Sequence, residues 1–452
     1  MATIYTLNLA SLLTLCGGLF LAQSKTQSHV AATNNSTTQK SSSSKAPFLT
    51  VYALVMASDW LQGPFLYSLY RVEHNLPHSL VSALFTTGFL SGAVSGSFVG
   101  SVADRRGRKA GCLFFCAAYS LSCLSTIMPS SSVPLLFVGR ALGGLATSLL
   151  FSVFESWMVA DFGARYQGID GGEGREVELS KMFGLMSTVN SVVAIASGVG
   201  SEWLVAVAGT RKAPFAASVV LLAVAFGVIW TQWAEYYGEA ETKADSAETE
   251  KTTVHKTRLW TILANPSVLS LGLTSTVFEG SMYLFVFFWT PALRSAAATT
   301  KTDDLPLGVI FASFMASCLA SSLAFNIITT GKLISHATLL LCILATSSVC
   351  LFLSARPSSE QSAFWVFCLF EAAVGMYWPC MGCLKGALID DGIRSQVYGM
   401  LRVPLNVFVV VSLLLTGEAG DDAYGTVFTV CASLLLAACG ALWVGRAGRA
   451  AS

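Results

Sequence analysis

Apolar residues run along this chain in long unbroken stretches, and short polar segments punctuate them. The first stretch covers residues 1–22 and ends at Gln23. Twelve more follow, at 48–70, 79–103, 109–128, 133–160, 180–201, 213–234, 266–290, 306–329, 334–354, 361–384, 395–416 and 424–445. Each is close to the ~20 residues that a helix needs to cross the hydrocarbon of a bilayer. The pattern predicts an all-α polytopic membrane protein with twelve core spans, numbered here 1 to 12, and an extra N-terminal hydrophobic helix. Segment 23–47, rich in Ser, Thr, Asn and Lys, is too polar to build a core and reads as a linker. The stretch 235–264 alternates charge from Glu235 to Arg258 and divides the core into halves at 48–234 and 265–446, followed by a tail at 447–452.

Composition narrows the class. Of 452 residues 54% are hydrophobic and 12% charged, and the mean hydropathy is +0.63, far too apolar for an ordinary soluble protein. The lipid bilayer is therefore an obligatory partner. A formal net charge of +1, with basic residues spread among the loops, gives no surface for nucleic acid. Most of the 12 cysteines lie inside apolar runs, where they act as small hydrophobes, and no disulfide is expected. Cys380 and Cys383 make a lone C-x-x-C without a second pair or a neighbouring histidine, which reads as filling rather than a metal site. No nucleophile constellation, metal cluster or phosphate loop stands out, so neither an enzyme nor a cofactor is expected.

Charge sets the expected topology. Assigning loops alternately places about 19 of the 27 Lys and Arg residues on one side and about 6 on the other, with Arg140 and Arg402 inside spans. The basic side should be cytoplasmic. That puts the linker, with Lys25, Lys40 and Lys45, inside, the N-terminus outside and the C-terminus inside. Residues 1–22 carry no Lys or Arg ahead of the apolar run, unlike a secretory signal, so the helix should be retained. Asn34 and Asn35 open overlapping sequons, and glycan on either would refute this topology.

Between spans 2 and 3, Gly100 to Lys109 reads G-S-V-A-D-R-R-G-R-K. Its four cations resist translocation, and its glycines let two helix ends approach closely. Asp104 can face a helix N-terminus or a neighbouring arginine. The segment resembles the signature G-x-x-x-D-R-x-G-R-K of the major facilitator superfamily, with Gly100, Asp104, Arg105, Gly107, Arg108 and Lys109 at the fixed positions. Gly139 to Ala146, G-R-A-L-G-G-L-A, resembles more loosely the second signature of that superfamily, in which an arginine precedes a glycine by four residues. The resemblance implies two six-helix halves working by alternating access. Spans 1, 4, 7 and 10 would line a cavity, spans 3, 6, 9 and 12 would form the scaffold, and Asp104, Arg108 and Asp161 would latch the cytoplasmic side. Gly88, Gly92, Gly96 and Gly100 repeat every four residues along span 2, a pattern for close helix packing.

An ionisable group at mid-bilayer costs about 2.5–3.5 kcal/mol even on lenient scales, so each should face a partner or water. Asp59 lies in span 1, Arg140 and Glu155 in span 4, Glu279 in span 7, Glu371 in span 10 and Arg402 in span 11. R-A-L-G-G from Arg140 and E-A-A-V-G from Glu371 sit at equivalent depths of spans 4 and 10, as parallel repeats require. Arg140 offers a planar fork suited to a carboxylate or an oxyanion, with Glu371 as its expected resting partner. Arg402 precedes Pro404, where a helix break would expose backbone to the cavity. Asp59 and Gln62 share a face beside a kink at Gly63-Pro64, and Asn190 adds a polar atom in span 5. Glu155 lies about 22 Å along the helix from Arg140 and reads as part of an inner gate. The expected roles are substrate binding for Arg140, Arg402, Asp59, Gln62 and Asn190, and proton exchange or charge pairing for Asp59, Glu279 and Glu371. Both arginines could instead serve only to hold helices together.

Several stretches together resemble the molybdate-anion transporter family: A-S-D-W-L-Q-G-P-F-L-Y, V-G-R-A-L-G-G-L-A-T-S-L-L-F-S-V-F-E-S-W, F-V-F-F-W-T-P, G-V-I-F-A-S-F-M-A-S and R-V-P-L-N. They span nearly the whole core. The resemblance implies uptake of molybdate across the plasma membrane by a chain expected to be monomeric. Two rival readings stand beside it. One is a carrier of a sugar or other organic solute, held by Asp59, Gln62, Asn190, Trp60, Trp157 and Trp378. The other is a transport-inactive receptor or scaffold.

Overall fold

The computed structural model describes residues 2–31, 42–128, 132–165, 172–237, 265–298, 305–331, 333–357, 359–388, 394–416 and 423–450. The long apolar runs fold as helices: α1 (Ala2–Ala31), α2 (Ser42–Trp60), α3 (Leu66–Ser68), α4 (His78–Gly96), α5 (Val99–Arg106), α6 (Arg108–Ile127), α7 (Val133–Arg165), α8 (Gly172–Ala208) and α9 (Ala213–Gln232). They continue as α10 (Pro266–Ala298), α11 (Leu307–Thr330), α12 (His336–Ser354), α13 (Glu360–Leu388), α14 (Arg394–Thr416) and α15 (Tyr424–Ala450). Among the described residues, 11 helices are long and apolar enough to cross a membrane, and Met400–Thr416 is a shorter apolar stretch. Span 1 is not among the 11 because the chain leaves the helix at Leu61. It turns through Gly63-Pro64 and resumes as α3 and a π-helical turn at Leu69–Glu73. Pro64 has no N–H to continue the ladder, which is the kink the dipeptide predicts.

Other boundaries differ from the hydropathy reading. The linker expected over 23–47 is helical at both ends, where α1 runs on to Ala31 and α2 starts at Ser42. Residues 32–41, with both sequons, and most of 235–264 lie outside the described residues. The expected break at Pro404 does not occur: α14 continues through it, as α10 does through Pro291 and α13 through Pro379. Packed neighbours in a bundle hold a helix whose ladder proline has opened. For α14 the neighbour is α10, whose Gly272 and Gly280 leave room for Leu401 and Phe408.

The chain separates into two compact units. One comprises Ser36–Glu241 with Leu307–Ala312, and the other Met1–Asn35, Thr242–Pro306 and Ser313–Ser452. In the first, α7 packs on α4 and α6, α6 on α9, and α2 on α7, α8 and α9. In the second, α12 packs on α13 and α15, while α10 packs on α13, α14 and α15. Five pairings thus recur when each span is matched to the one six later: 3 with 4, 3 with 6, 1 with 4, 1 with 5 and 1 with 6. The N-terminal α1 belongs to the second unit. Tyr5 donates its hydroxyl to the buried Glu360, Asn8 donates to Gln361 at 3.1 Å, and Cys16 donates to the Ala316 carbonyl at 3.2 Å.

The glycine repeat of span 2 acts in register with α7. A Cβ on Gly88 would meet Arg140, one on Gly92 would meet Gly144, and one on Gly96 would meet Ser148, whereas Gly100 faces open space. Between α4 and α7, Gly144 makes the tightest approach, with a Cβ placed 2.2 Å from the Gly88 carbonyl oxygen. Gly375, its counterpart in span 10, would put a Cβ 2.2 Å from the Cys318 carbonyl of α11. Spans 4 and 10 therefore each press a glycine, four residues beyond Arg140 or Glu371, onto the backbone of the helix two spans earlier.

Candidate functional site

In the first unit α2, α4, α6 and α7 bring a set of polar side chains together. Tyr119 of α6 donates its hydroxyl to Asp59 of α2. Arg140 of α7 lies with its guanidinium carbon 5.4 Å from the centre of the Phe85 ring of α4, a cation–π placement. The missing side chain at Gly88 gives the guanidinium its space, since a Cβ there would come within 2.9 Å of Nη2. Arg140 acts electrostatically on Asp59, Tyr70, Tyr119 and Cys123. Its Nε is buried without a hydrogen-bond partner, and among the described residues no ion pair closes on it. The arrangement is a cation held by a ring and a nearby carboxylate, with donors left over.

Gln62 donates to the Ser58 carbonyl at 2.7 Å and also bonds Cys123, which places it beside Asp59 and Arg140. Asn190 joins indirectly, as its Oδ1 accepts from Trp60 Nε1 at 2.8 Å, and Trp60 leans on Phe311 at 5.8 Å. Trp157 is elsewhere. It is buried in the core, stacked at 3.7 Å on Trp233, and donates to the Ala234 carbonyl, so it cannot bind a solute. Glu155 is exposed and shares a cavity of about 380 Å³ with Arg108, Phe151, Ser152, Ser156 and Val159.

The second unit holds its own cluster. Glu279 of α10 accepts from the Ser275 hydroxyl and, at 2.9 Å, from the Tyr377 hydroxyl, and its Oε1 lies 3.6 Å from Lys385 Nζ. Lys385 Nζ donates to Ser275 Oγ at 2.7 Å. Arg402 of α14 is exposed and acts electrostatically on Lys385 and Tyr283. Glu371 is buried near Cys318 and Cys368, and no ion pair of it is found among the described residues. The carboxylate within reach of Arg140 in its own unit is Asp59.

The signature segment forms a compact corner. Arg108 Nε donates to Asp104 Oδ1 at 2.8 Å, and its Nη1 donates to the Ser156 carbonyl at 3.0 Å. Lys109 Nζ reaches the Trp230 carbonyl near the end of α9, where the helix dipole favours a cation. Asp161 enters through Tyr236, whose hydroxyl donates to it at 3.1 Å. Arg105 sits exposed in the last turn of α5. Glu235 accepts from the Lys109 and Ala110 amides at 2.7 and 3.1 Å and so caps α6, a role sequence reasoning missed. Gly107 has φ of 112°, and a Cβ there would stand 2.5 Å from the Glu235 carboxyl carbon. Gly107→Ala should cost about 1–3 kcal/mol in backbone strain alone, read as a lowered melting temperature of the protein in detergent; an unchanged melting temperature would refute this account of the corner.

Residues 4–368 match a family model described as sugar transporters, 12 TM. The chain is 31% identical over 464 residues to a molybdate-anion transporter of Takifugu rubripes, covering 95% of this chain and 92% of the relative. It is 31% identical to one from Xenopus tropicalis and 30% to one from Danio rerio, over 86% of this chain in each case. The chain belongs to the molybdate-anion transporter family of the major facilitator superfamily. It is thus a multi-pass membrane transporter and not an enzyme. Solved structures agree on the fold. The nucleoside transporter NupG matches with a TM-score of 0.67 at 12% identity, covering 88% of this chain and 99% of that one. The peptide transporter POT in complex with sulfate matches at 0.65 and 13%, covering 87% and 93%.

Beyond the residues that the sequence marks, the structure adds Tyr119, Tyr70, Ser275, Tyr377 and Lys385 to these clusters. For Lys385 a signal existed. It lies about four helical turns beyond Glu371, on the same face of the helix at 3.6 residues per turn.

Proposed function

We propose that this protein carries molybdate across the plasma membrane by alternating access, with Arg140 and Arg402 binding the oxyanion. The observation that carries the reading is Arg140: a cation in an apolar helix bundle whose buried Nε has no hydrogen-bond partner and whose fork no described ion pair occupies. A planar fork with spare donors fits two oxygens of a tetrahedral oxyanion. The names of the relatives point to the same substrate. Asp59, Glu279 and Glu371 are the carboxyl groups placed to exchange protons, which would couple uptake of the anion to the proton gradient. Glu155 and the Asp104, Arg108 and Asp161 corner would close the inner side.

The test is uptake of labelled molybdate by metal-limited cells expressing the chain, at two external pH values. Uptake above that of control cells, rising at the lower pH, is the expected result. Surface-localised protein without molybdate uptake would refute it. The family description as sugar transporters favours one second reading, an organic-solute carrier. Labelled hexose taken up in place of molybdate would support that reading.

A further inference from the structure

The register of α4 against α7 decides where Arg140 can reach. Gly92 faces Gly144 and Gly96 faces Ser148, so the two helices run parallel and advance together. A helical side chain leans toward the N-terminus of its own helix, which carries Arg140 back over the preceding turn of α4. It arrives between Phe85 and Gly88, three residues apart on one helix face. A Cβ at Gly88 would come within 2.9 Å of Nη2 and 3.4 Å of both Cζ and Nε, so the guanidinium lies against bare backbone there. Its carbon stands 5.4 Å from the centre of the Phe85 ring, which is buried. Among the described residues no ion pair closes on it.

We propose that Phe85 and Gly88 are positioning residues that seat Arg140 and leave its N–H donors to a tetrahedral oxyanion. The inference deepens the oxyanion reading and rests on it. An arginine among apolar helices needs a partner to hold it. A carboxylate would do so by taking N–H donors in pairs, and would then compete with the anion for the same fork. An aromatic ring attracts the cation through its quadrupole and takes none of those bonds. Phe85 thus fixes the cation without occupying its donors, and the absent side chain of Gly88 leaves the gap into which the guanidinium fits. The close approach of Gly144 to the Gly88 backbone then acts twice: it packs α7 on α4, and it holds the seat in register with Arg140, one turn earlier on α7.

The test is calorimetric titration of molybdate into the purified full-length protein and three variants, with the melting temperature of each. Phe85→Leu keeps the apolar bulk and loses the ring; it should weaken binding about five- to thirtyfold, as loss of a cation–π contact away from water would. Phe85→Tyr keeps the ring and should stay within about twofold of wild type. Gly88→Ala puts a methyl where the guanidinium lies, and the flexible end of Arg140 can swing aside. It should weaken binding roughly fivefold or more while melting no lower than wild type. A ring that only fills space could be replaced by leucine. Wild-type binding by Phe85→Leu, or binding by Phe85→Tyr as weak as that of Phe85→Leu, would therefore overturn this inference and leave the transport reading intact. Should Phe85→Leu fail to fold, Gly88→Ala decides, and wild-type binding there overturns the inference. A folded wild type that binds no molybdate would instead sink the oxyanion reading, and this inference with it.

Discussion

Arg140→Ala should abolish molybdate uptake while leaving the protein folded and in the membrane. Truncating one partner of a buried, hydrogen-bonded charge pair typically costs about 2–5 kcal/mol. At about 1.4 kcal/mol per decade that is roughly 30-fold to several-thousand-fold in affinity. The fold should survive because Arg140 makes a cation–π contact with Phe85 and no described ion pair, while the carboxylate it faces, Asp59, keeps the Tyr119 hydroxyl as a donor. Arg140→Lys separates charge from geometry. It keeps the positive charge but loses the fork, and should fall between wild type and alanine. Initial rates of uptake, normalised to surface protein, measure both. Wild-type uptake in Arg140→Lys would mean that the fork is not used. Wild-type uptake in Arg140→Ala would move the binding site elsewhere.

Gly144→Ala should act on the fold rather than on the anion. The added Cβ would lie 2.2 Å from the Gly88 carbonyl and 2.8 Å from the Gly92 amide, both backbone atoms on a helix that cannot move locally. Overpacking of this kind costs about 1–3 kcal/mol, and contact with rigid backbone belongs at the upper end. The same displacement would push α7 away from α4 and carry Arg140 off Phe85. Gly375→Ala should cost about the same, since its Cβ would stand 2.2 Å from the Cys318 carbonyl. Gly100→Ala, where nothing lies within 4 Å, is the control that should melt as wild type. Thermal melts in detergent distinguish the three, and equal melting temperatures for Gly144→Ala and Gly100→Ala would contradict the packing account.

Much of this was legible before any coordinates. Apolar run length located the spans because the bilayer imposes a minimum helix length. The four-residue glycine spacing marked a close-packing face of α4 because residues four apart share a helix face, while its partner α7 emerged only from the structure. The charged positions Asp59, Arg140, Glu279 and Arg402 stood out because such residues are costly among lipids. What failed did so for physical reasons. Lys385 fell outside span 10 because hydropathy ends a span at a charge, while a lysine can bury its stem and extend its ammonium. Pro404 suggested a break because local rules ignore neighbouring helices that hold a kinked one together. Trp157 looked available to a solute because no sequence pattern tells whether an aromatic ring faces a cavity or another ring; here it faces Trp233.

The measurement that tests the central claim most directly is counterflow of labelled molybdate in proteoliposomes containing only the purified protein, preloaded with unlabelled molybdate. The account predicts transient accumulation of label above equilibrium for wild type and none for Arg140→Ala. Folded, reconstituted wild-type protein that shows no accumulation, or Arg140→Ala that accumulates label as wild type does, would contradict it.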